Sequence, residues 1–207
     1  MSLIRVDKIT GKTGSDAGAP IVFSGDTATI GSAVTLPVSI KAVKWGLLTS
    51  EYGSKDPVGD GASDWIFHDA DTTNVSAPAG FMGSNTLVSH SSGIWSFAET
   101  GYYMIWANFL TIFNTGGSSA YNYCMIKTSH DYTTGPTWYV QGEANQFTTT
   151  AGQQTSVNFH TLLKITNIAE QKFKFVSTLQ GGSGQYILGQ STRGDASIFT
   201  VLKLGNI

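Results

Sequence analysis

The chain has 207 residues, a formal net charge of −2 and only 13% charged side chains, roughly half the ~25% of ordinary soluble domains. Its 12 Lys and Arg are scattered singly, which leaves no basic footprint for a polyanion and excludes nucleic acid as an expected partner. With 24 Gly and 12% aromatic residues, the composition favours strands and tight turns, and the length suits one domain of about 150 residues with an extension.

The first zone, residues 1–45, is expected to be an N-terminal attachment arm. Leu3 to Ile9 alternates like a short strand, GKTGSDAGAP is a turn-rich connector, and Ile21-Val22-Phe23 is a second short apolar run. Fragments this short bury little surface alone, so Ile4, Val6, Ile9, Ile21 and Phe23 are the expected contacts with a neighbouring subunit or a larger assembly. Ala28 to Val43 alternates small β-formers around Pro37, which argues against a central strand. The opening MSLIRVDKITGKTG has no apolar core or small-residue cleavage site, and no window approaches about 18 consecutive apolar residues. A signal peptide and membrane insertion are therefore not expected.

Residues 46–62, dense in turn formers and carrying several of the few charges, are expected to be a linker. Residues 63–207 then form a succession of strands: Asp64–His68, Thr86–Ser89, Ile94–Ala98, Tyr102–Phe113, Ala120–Ser129, Thr137–Gln146, Thr155–Thr166, Lys172–Leu179 and Ser197–Leu204. Glycine-rich turns separate them and no segment sustains a helical period, so the class is all-β, a sandwich or jelly roll. In the run Tyr102–Phe113, Tyr103, Ile105, Ala107, Phe109 and Phe113 alternate with Tyr102, Met104, Trp106, Leu110 and Ile112, making both faces apolar. One face can fill the subunit's own core; the other needs a second apolar partner, which points to packing between subunits.

Chemical motifs are few. Gly11-Lys12-Thr13 imitates the end of a phosphate-binding loop, but Val6 stands where its first glycine belongs. His68, His90, His130 and His160 are widely spaced and form no metal-ligand pair. Asp56, Asp60 and Asp64 offer oxygens to a hard cation but lack the order of a dedicated calcium loop, and a solvated loop is the expected reading. Cys124 lies in an apolar-alternating run with nothing beside it to lower its pKa, so an inert buried thiol is expected. No G-x-S-x-G elbow is present, acids are scarce, and no catalytic residue, cofactor or metal is expected. Tyr132, Trp138 and Tyr139 flank Gly135-Pro136, where aromatic faces suit a sugar ring and also ordinary packing.

The order Gly93-Ile94-Trp95-Ser96-Phe97-Ala98-Glu99-Thr100-Gly101-Tyr102-Tyr103, followed by a long apolar strand, resembles the C1q/TNF-like jelly roll, in which a G-x-F-x-x-x-x-x-G-x-Y pattern marks consecutive strands. The closing Ala196 to Leu204 is similar to that family's last strand, with Thr200 or Val201 where a glycine is usual. Over about residues 63–205 this resemblance implies a compact homotrimer with Tyr102, Met104, Trp106, Leu110 and Ile112 at the threefold axis. Leu3–Ile9 with Ala19–Asp26 also resembles the leaders of short virion appendage proteins of tailed bacteriophages. Together these imply a non-enzymatic virion protein, made in the host cytoplasm and exposed on the particle surface as a capsid decoration or short tail fibre. Its arm would bind other virion proteins of the capsid or tail, and its trimeric knob would stabilise the particle or touch host surface glycans. A cellular C1q/TNF-like adhesive or carbohydrate-binding module and a polysaccharide depolymerase tip are the alternatives.

Overall fold

The computed structural model describes residues 8–9, 21–24, 27–30, 41–67, 87–113, 120–148, 152–180, 184–190 and 196–207. The chain divides into two compact units, Met1–Val38 and Ser39–Ile207. In the first, β1 (Lys8–Ile9), β2 (Ile21–Ser24) and β3 (Thr27–Ile30) form an antiparallel sheet in that order. Ile9 pairs with Ile21, and Ile21 with Ile30. The expected attachment residues Ile9, Ile21 and Phe23 thus lie on strands, whereas Ile4 and Val6 fall outside the described residues.

The second unit contains β4 (Lys41–Leu47), β5 (Glu51–Tyr52), β6 (Trp65–Phe67), β7 (Val88–Ser91), β8 (Ile94–Phe97) and β9 (Gly101–Phe113). It continues with β10 (Ala120–Ser129), β11 (Tyr139–Thr148), β12 (Gln154–Ile165), β13 (Lys172–Gln180), β14 (Gln185–Ile187) and β15 (Ile198–Gly205). An outer sheet runs β11-β10-β13-β8-β7. An inner sheet runs β6-β4-β15-β9 with β12 on the other flank of β9, and β14 and β5 extend it past the end of β15. Every pairing among the described residues is antiparallel. His68 and Thr86, at the ends of two expected strands, lie outside those residues.

One boundary differs from the expectation. The second unit begins at Ser39, not near residue 63, and residues 46–62 belong to the sandwich. β4 pairs with β15 from Lys41↔Lys203 to Gly46↔Ile198, so it is an interior strand of the inner sheet. The turn-rich segment after it is stitched to β13, where Lys55 bridges Ser177 and the Val58 amide donates to the Phe175 carbonyl at 2.9 Å. Val58 is fully buried there. Local composition does not reveal a segment whose partners are more than a hundred residues away.

Alternation explains the layers. On β12, Thr155, Val157, Phe159, Thr161, Leu163 and Ile165 point inward while the residues between them are exposed. The core between the sheets is aromatic: Trp95 meets Phe199 edge-on at 4.6 Å, Trp65 meets Phe199 at 5.2 Å, and Phe109 meets Phe175 at 5.2 Å. Edge-on pairs of this kind add about 0.5–1.5 kcal/mol each beyond the area they bury. A buried side-chain link crosses the layers. Asn122 of β10, fully buried, donates through Nδ2 to Thr111 Oγ1 of β9 at 2.6 Å, and Thr111 Oγ1 donates to the Thr155 carbonyl of β12 at 3.2 Å.

Tight turns fix the register. Ser91 pairs with Ile94, so β7 and β8 join through Ser92-Gly93, whose φ values of 48° and 73° are those of a type I′ turn. A side chain at Gly93 would run into the Pro57 ring, so glycine there serves both turn and packing.

Candidate functional site

β9 is the central strand of the inner sheet, and its two faces are unequal. Tyr103, Ile105, Ala107, Phe109 and Phe113 have no exposed surface, whereas Tyr102 is 44% and Trp106 49% exposed, with Met104 and Leu110 half-buried. Ile112, on the same outward row, is buried within the subunit. Cross-strand register extends this row into a surface: Leu162 stands opposite Met104, His160 opposite Trp106 and Lys164 opposite Tyr102 on β12, with Leu202 opposite Met104 on β15. Leu162 is 67% exposed. At one end a recess of about 490 Å³ is lined by Tyr102, Tyr103, Leu162, Leu163, Lys164 and Leu204. The Lys164 ammonium lies 5.8 Å from the Tyr102 ring centroid. At the other end Tyr52 and Tyr186 pack ring to ring at 4.8 Å.

A charged clasp closes the recess end of the sheet. Glu99, in the turn between β8 and β9, accepts from Lys41 Nζ at 2.7 Å and pairs with Lys203 Nζ at 3.0 Å. Hydrogen bonds from Lys41 and then Lys203 hold its carboxyl below the usual carboxylate range. The Tyr103 hydroxyl donates to the Glu99 carbonyl at 2.8 Å, and burial pushes that phenol up to about 12.

The three aspartates weighed as cation ligands do not stay together. Asp56 pairs with Lys174 and, at 3.7 Å, with Lys127. Asp60 and Asp64 instead join Glu51, with ligand oxygens within 4.8 Å of one another. Glu51 is buried; its Oε1 accepts from the Gly59 amide at 3.1 Å and its Oε2 pairs with Lys55 at 2.8 Å. The Lys55 ammonium therefore supplies counter-charge to this group, and its pKa rises chiefly through the Glu51 hydrogen bond. Beside it, His90 Nε2 lies 3.0 Å from the Gly59 carbonyl and accepts from the Gly93 amide at 3.0 Å, and burial lowers its pKa.

Of the aromatic loop residues, Tyr132 and Trp138 come together edge-on at 6.2 Å, while the Tyr139 ring lies 6.3 Å from that of His130. Each ring of the first pair has a cation over it, Lys174 Nζ 4.4 Å from Trp138 and Lys172 Nζ 6.0 Å from Tyr132. The loop is pinned by the Thr137 amide donating to Asp131 Oδ1 at 3.0 Å and by the Thr133 amide donating to Glu170 Oε2 at 2.8 Å. Cys124 is buried and desolvation pushes its thiol up to about 12, the inert state expected of it.

No family model and no curated protein matches the chain. Solved structures do. The TNF protein Eiger of S. frugiperda aligns over 83% of this chain and 96% of its own with a TM-score of 0.50 at 14% identity. Murine APRIL aligns over 80% of this chain and all of its own, with a TM-score of 0.48 at 7% identity. The chain has a TNF-like jelly-roll fold. At such identity the likeness is one of architecture alone. Within that jelly roll, the apolar faces of β9 were legible as two alternating rows. Leu162 and Leu204 lie on strands expected from the sequence, but their exposure beside β9 depends on cross-strand pairing with a distant segment and leaves no local signal.

Proposed function

We propose that this chain is a non-enzymatic structural protein of a virus particle, a homotrimeric jelly-roll knob displayed outward and joined to the capsid or tail through its N-terminal arm. The observation that carries the trimer is the inner-sheet face. Tyr102, Trp106, Leu162 and Leu204 are each more than a third exposed on one contiguous sheet surface, and exposed apolar patches of this kind mark interaction surfaces. Three copies packed around an axis on this face would remove those side chains from water without altering the subunit core. The arm supports the particle assignment, because its short strands form a sheet separate from the knob and carry the leader-like residues. The non-enzymatic assignment is supported by the carboxylates Glu51, Asp56, Glu99, Asp131 and Glu170, which are engaged by lysines or by loop amides and hydroxyls.

Two measurements test this. Sedimentation of the full chain at low micromolar concentration is expected to give a trimer, and a monomer would sink the assembly half. Electron microscopy of particles carrying a labelled copy is expected to place density on the capsid or tail surface; label found only in the unassembled fraction would sink the virion half.

A further inference from the structure

The outer sheet carries a second aromatic surface. On β10 the usual polarity is partly inverted, with Asn122 and Thr128 buried in the core and Tyr121, Tyr123 and Met125 turned outward. Register sets these beside outward residues of β11: Phe147 lies opposite Tyr121, Asn145 opposite Tyr123, and Glu143 opposite Met125. On the other flank Thr178 of β13 lies opposite Tyr123. Phe147 is 57% and Tyr121 37% exposed. Tyr121 and Tyr123 meet edge-on at 6.3 Å, and the Tyr123 hydroxyl donates to Glu143 Oε1 at 3.1 Å. Two exposed rings thus adjoin a short row of hydrogen-bonding groups, of which Tyr123 and Glu143 hold each other in place.

We propose that this surface, formed by Phe147, Tyr121, Tyr123, Asn145 and Glu143, binds an uncharged saccharide. The proposal rests on the reading that the knob meets host surface glycans, and it places that contact on the outer sheet, away from the inner-sheet face. A pyranose presents an apolar C–H face and a rim of hydroxyls. The exposed rings suit the former, and an amide and a carboxylate within one or two cross-strand positions suit the latter. Charge selects the class. Glu143 is the charged side chain among these five, and the nearest lysines beyond Met125, Lys127 and Lys174, are tied to Asp56. A polyanion would meet a carboxylate with, among the described residues, no free cation beside it. The Tyr132–Trp138 loop, in contrast, has a lysine over each ring.

The test is a glycan array of neutral and acidic oligosaccharides probed with the full chain, followed by calorimetric titration of the best neutral binder. Phe147→Ala and Tyr121→Ala are each expected to weaken that binding by at least about tenfold, with oligomeric state and melting temperature unchanged. Glu143→Gln, which keeps shape, is expected to weaken it less. Trp138→Ala is expected to leave it intact. The proposal is overturned if the chain binds no neutral glycan, if it binds acidic glycans alone, or if Trp138→Ala abolishes binding while Phe147→Ala does not. Trp106→Asp separates the two readings: it is expected to dissociate the trimer while leaving per-site affinity for the neutral glycan unchanged. Loss of that affinity in a folded monomer would place the site between subunits and overturn the proposal as well.

Discussion

Phe109→Ala probes whether β9 divides its two faces between core and surface as described. Phe109 has no exposed surface. Its ring packs against Phe159 and Phe175 at 5.2 Å and Trp65 at 6.2 Å, so it ties the inner strands to the outer sheet. Removing a buried phenyl group among aromatic rings that cannot collapse into the gap costs about 3–5 kcal/mol. At roughly 2–4 °C per kcal/mol for a chain of this size, the melting temperature should drop by roughly 6–20 °C. The assay is urea and thermal unfolding at one fixed protomer concentration, because assembly adds its own concentration-dependent stability. Trp106→Ala, three residues away on the outward row, provides the comparison: it should lower the stability of the assembled form while sparing that of the dissociated subunit. A cost below about 1 kcal/mol for Phe109→Ala, or the same cost in the dissociated subunit for both variants, would refute the division of faces.

Acid should weaken the fold through Glu99. Its carboxyl is held below the usual range by Lys41 and then Lys203, so the stabilisation is complete above the ordinary carboxylate range and is lost as pH falls through the lowered value. Unfolding midpoints measured from neutral pH downward should fall along that limb, and Glu99→Gln should flatten it; an unchanged limb would exclude the clasp as the cause. At Asn122, replacement by Asp buries a charge between the sheets and should cost more than about 3 kcal/mol. Asn122→Leu removes the amide, including its unpaired Oδ1, and should cost no more than about 2 kcal/mol. Equal losses in denaturant unfolding would show that the amide link, rather than burial of charge, governs the site.

The sequence made most of the second unit legible because its strands obey period two over long stretches. β12 is the clearest case, with a buried row of Val157, Phe159, Leu163 and Ile165 interspersed with Thr155 and Thr161 against a largely polar row, and β9 declared a need for two partners by being apolar on both. The misreading at residues 46–62 has a physical cause. Glu51, the glycines and the aspartates compose a typical linker, yet Glu51 is buried because the Gly59 amide and Lys55 satisfy it, and Val58 fills a place in the core. β4 was obscured because Ala42 and Val43 are adjacent rather than alternating; both are buried, one on each face of the sheet. The outer-sheet aromatics were hidden for the opposite reason. In β10 apolar and polar side chains occur on both faces, so periodicity identifies the strand without telling which face is the core. The pairing of Asp60 and Asp64 with Glu51, and of Asp56 with lysines of β10 and β13, depends on contacts between distant segments and left no local mark.

Sedimentation equilibrium of the full chain at low micromolar concentration, with wild type and Trp106→Asp side by side, tests the central claim most directly. The wild type should sediment at three times the chain's 22.0 kDa, and Trp106→Asp, whose new charge would have to be desolvated in the interface, should sediment as a folded monomer. A monomeric wild type, or a Trp106→Asp variant that remains fully trimeric, would contradict the assignment of the inner-sheet face to assembly.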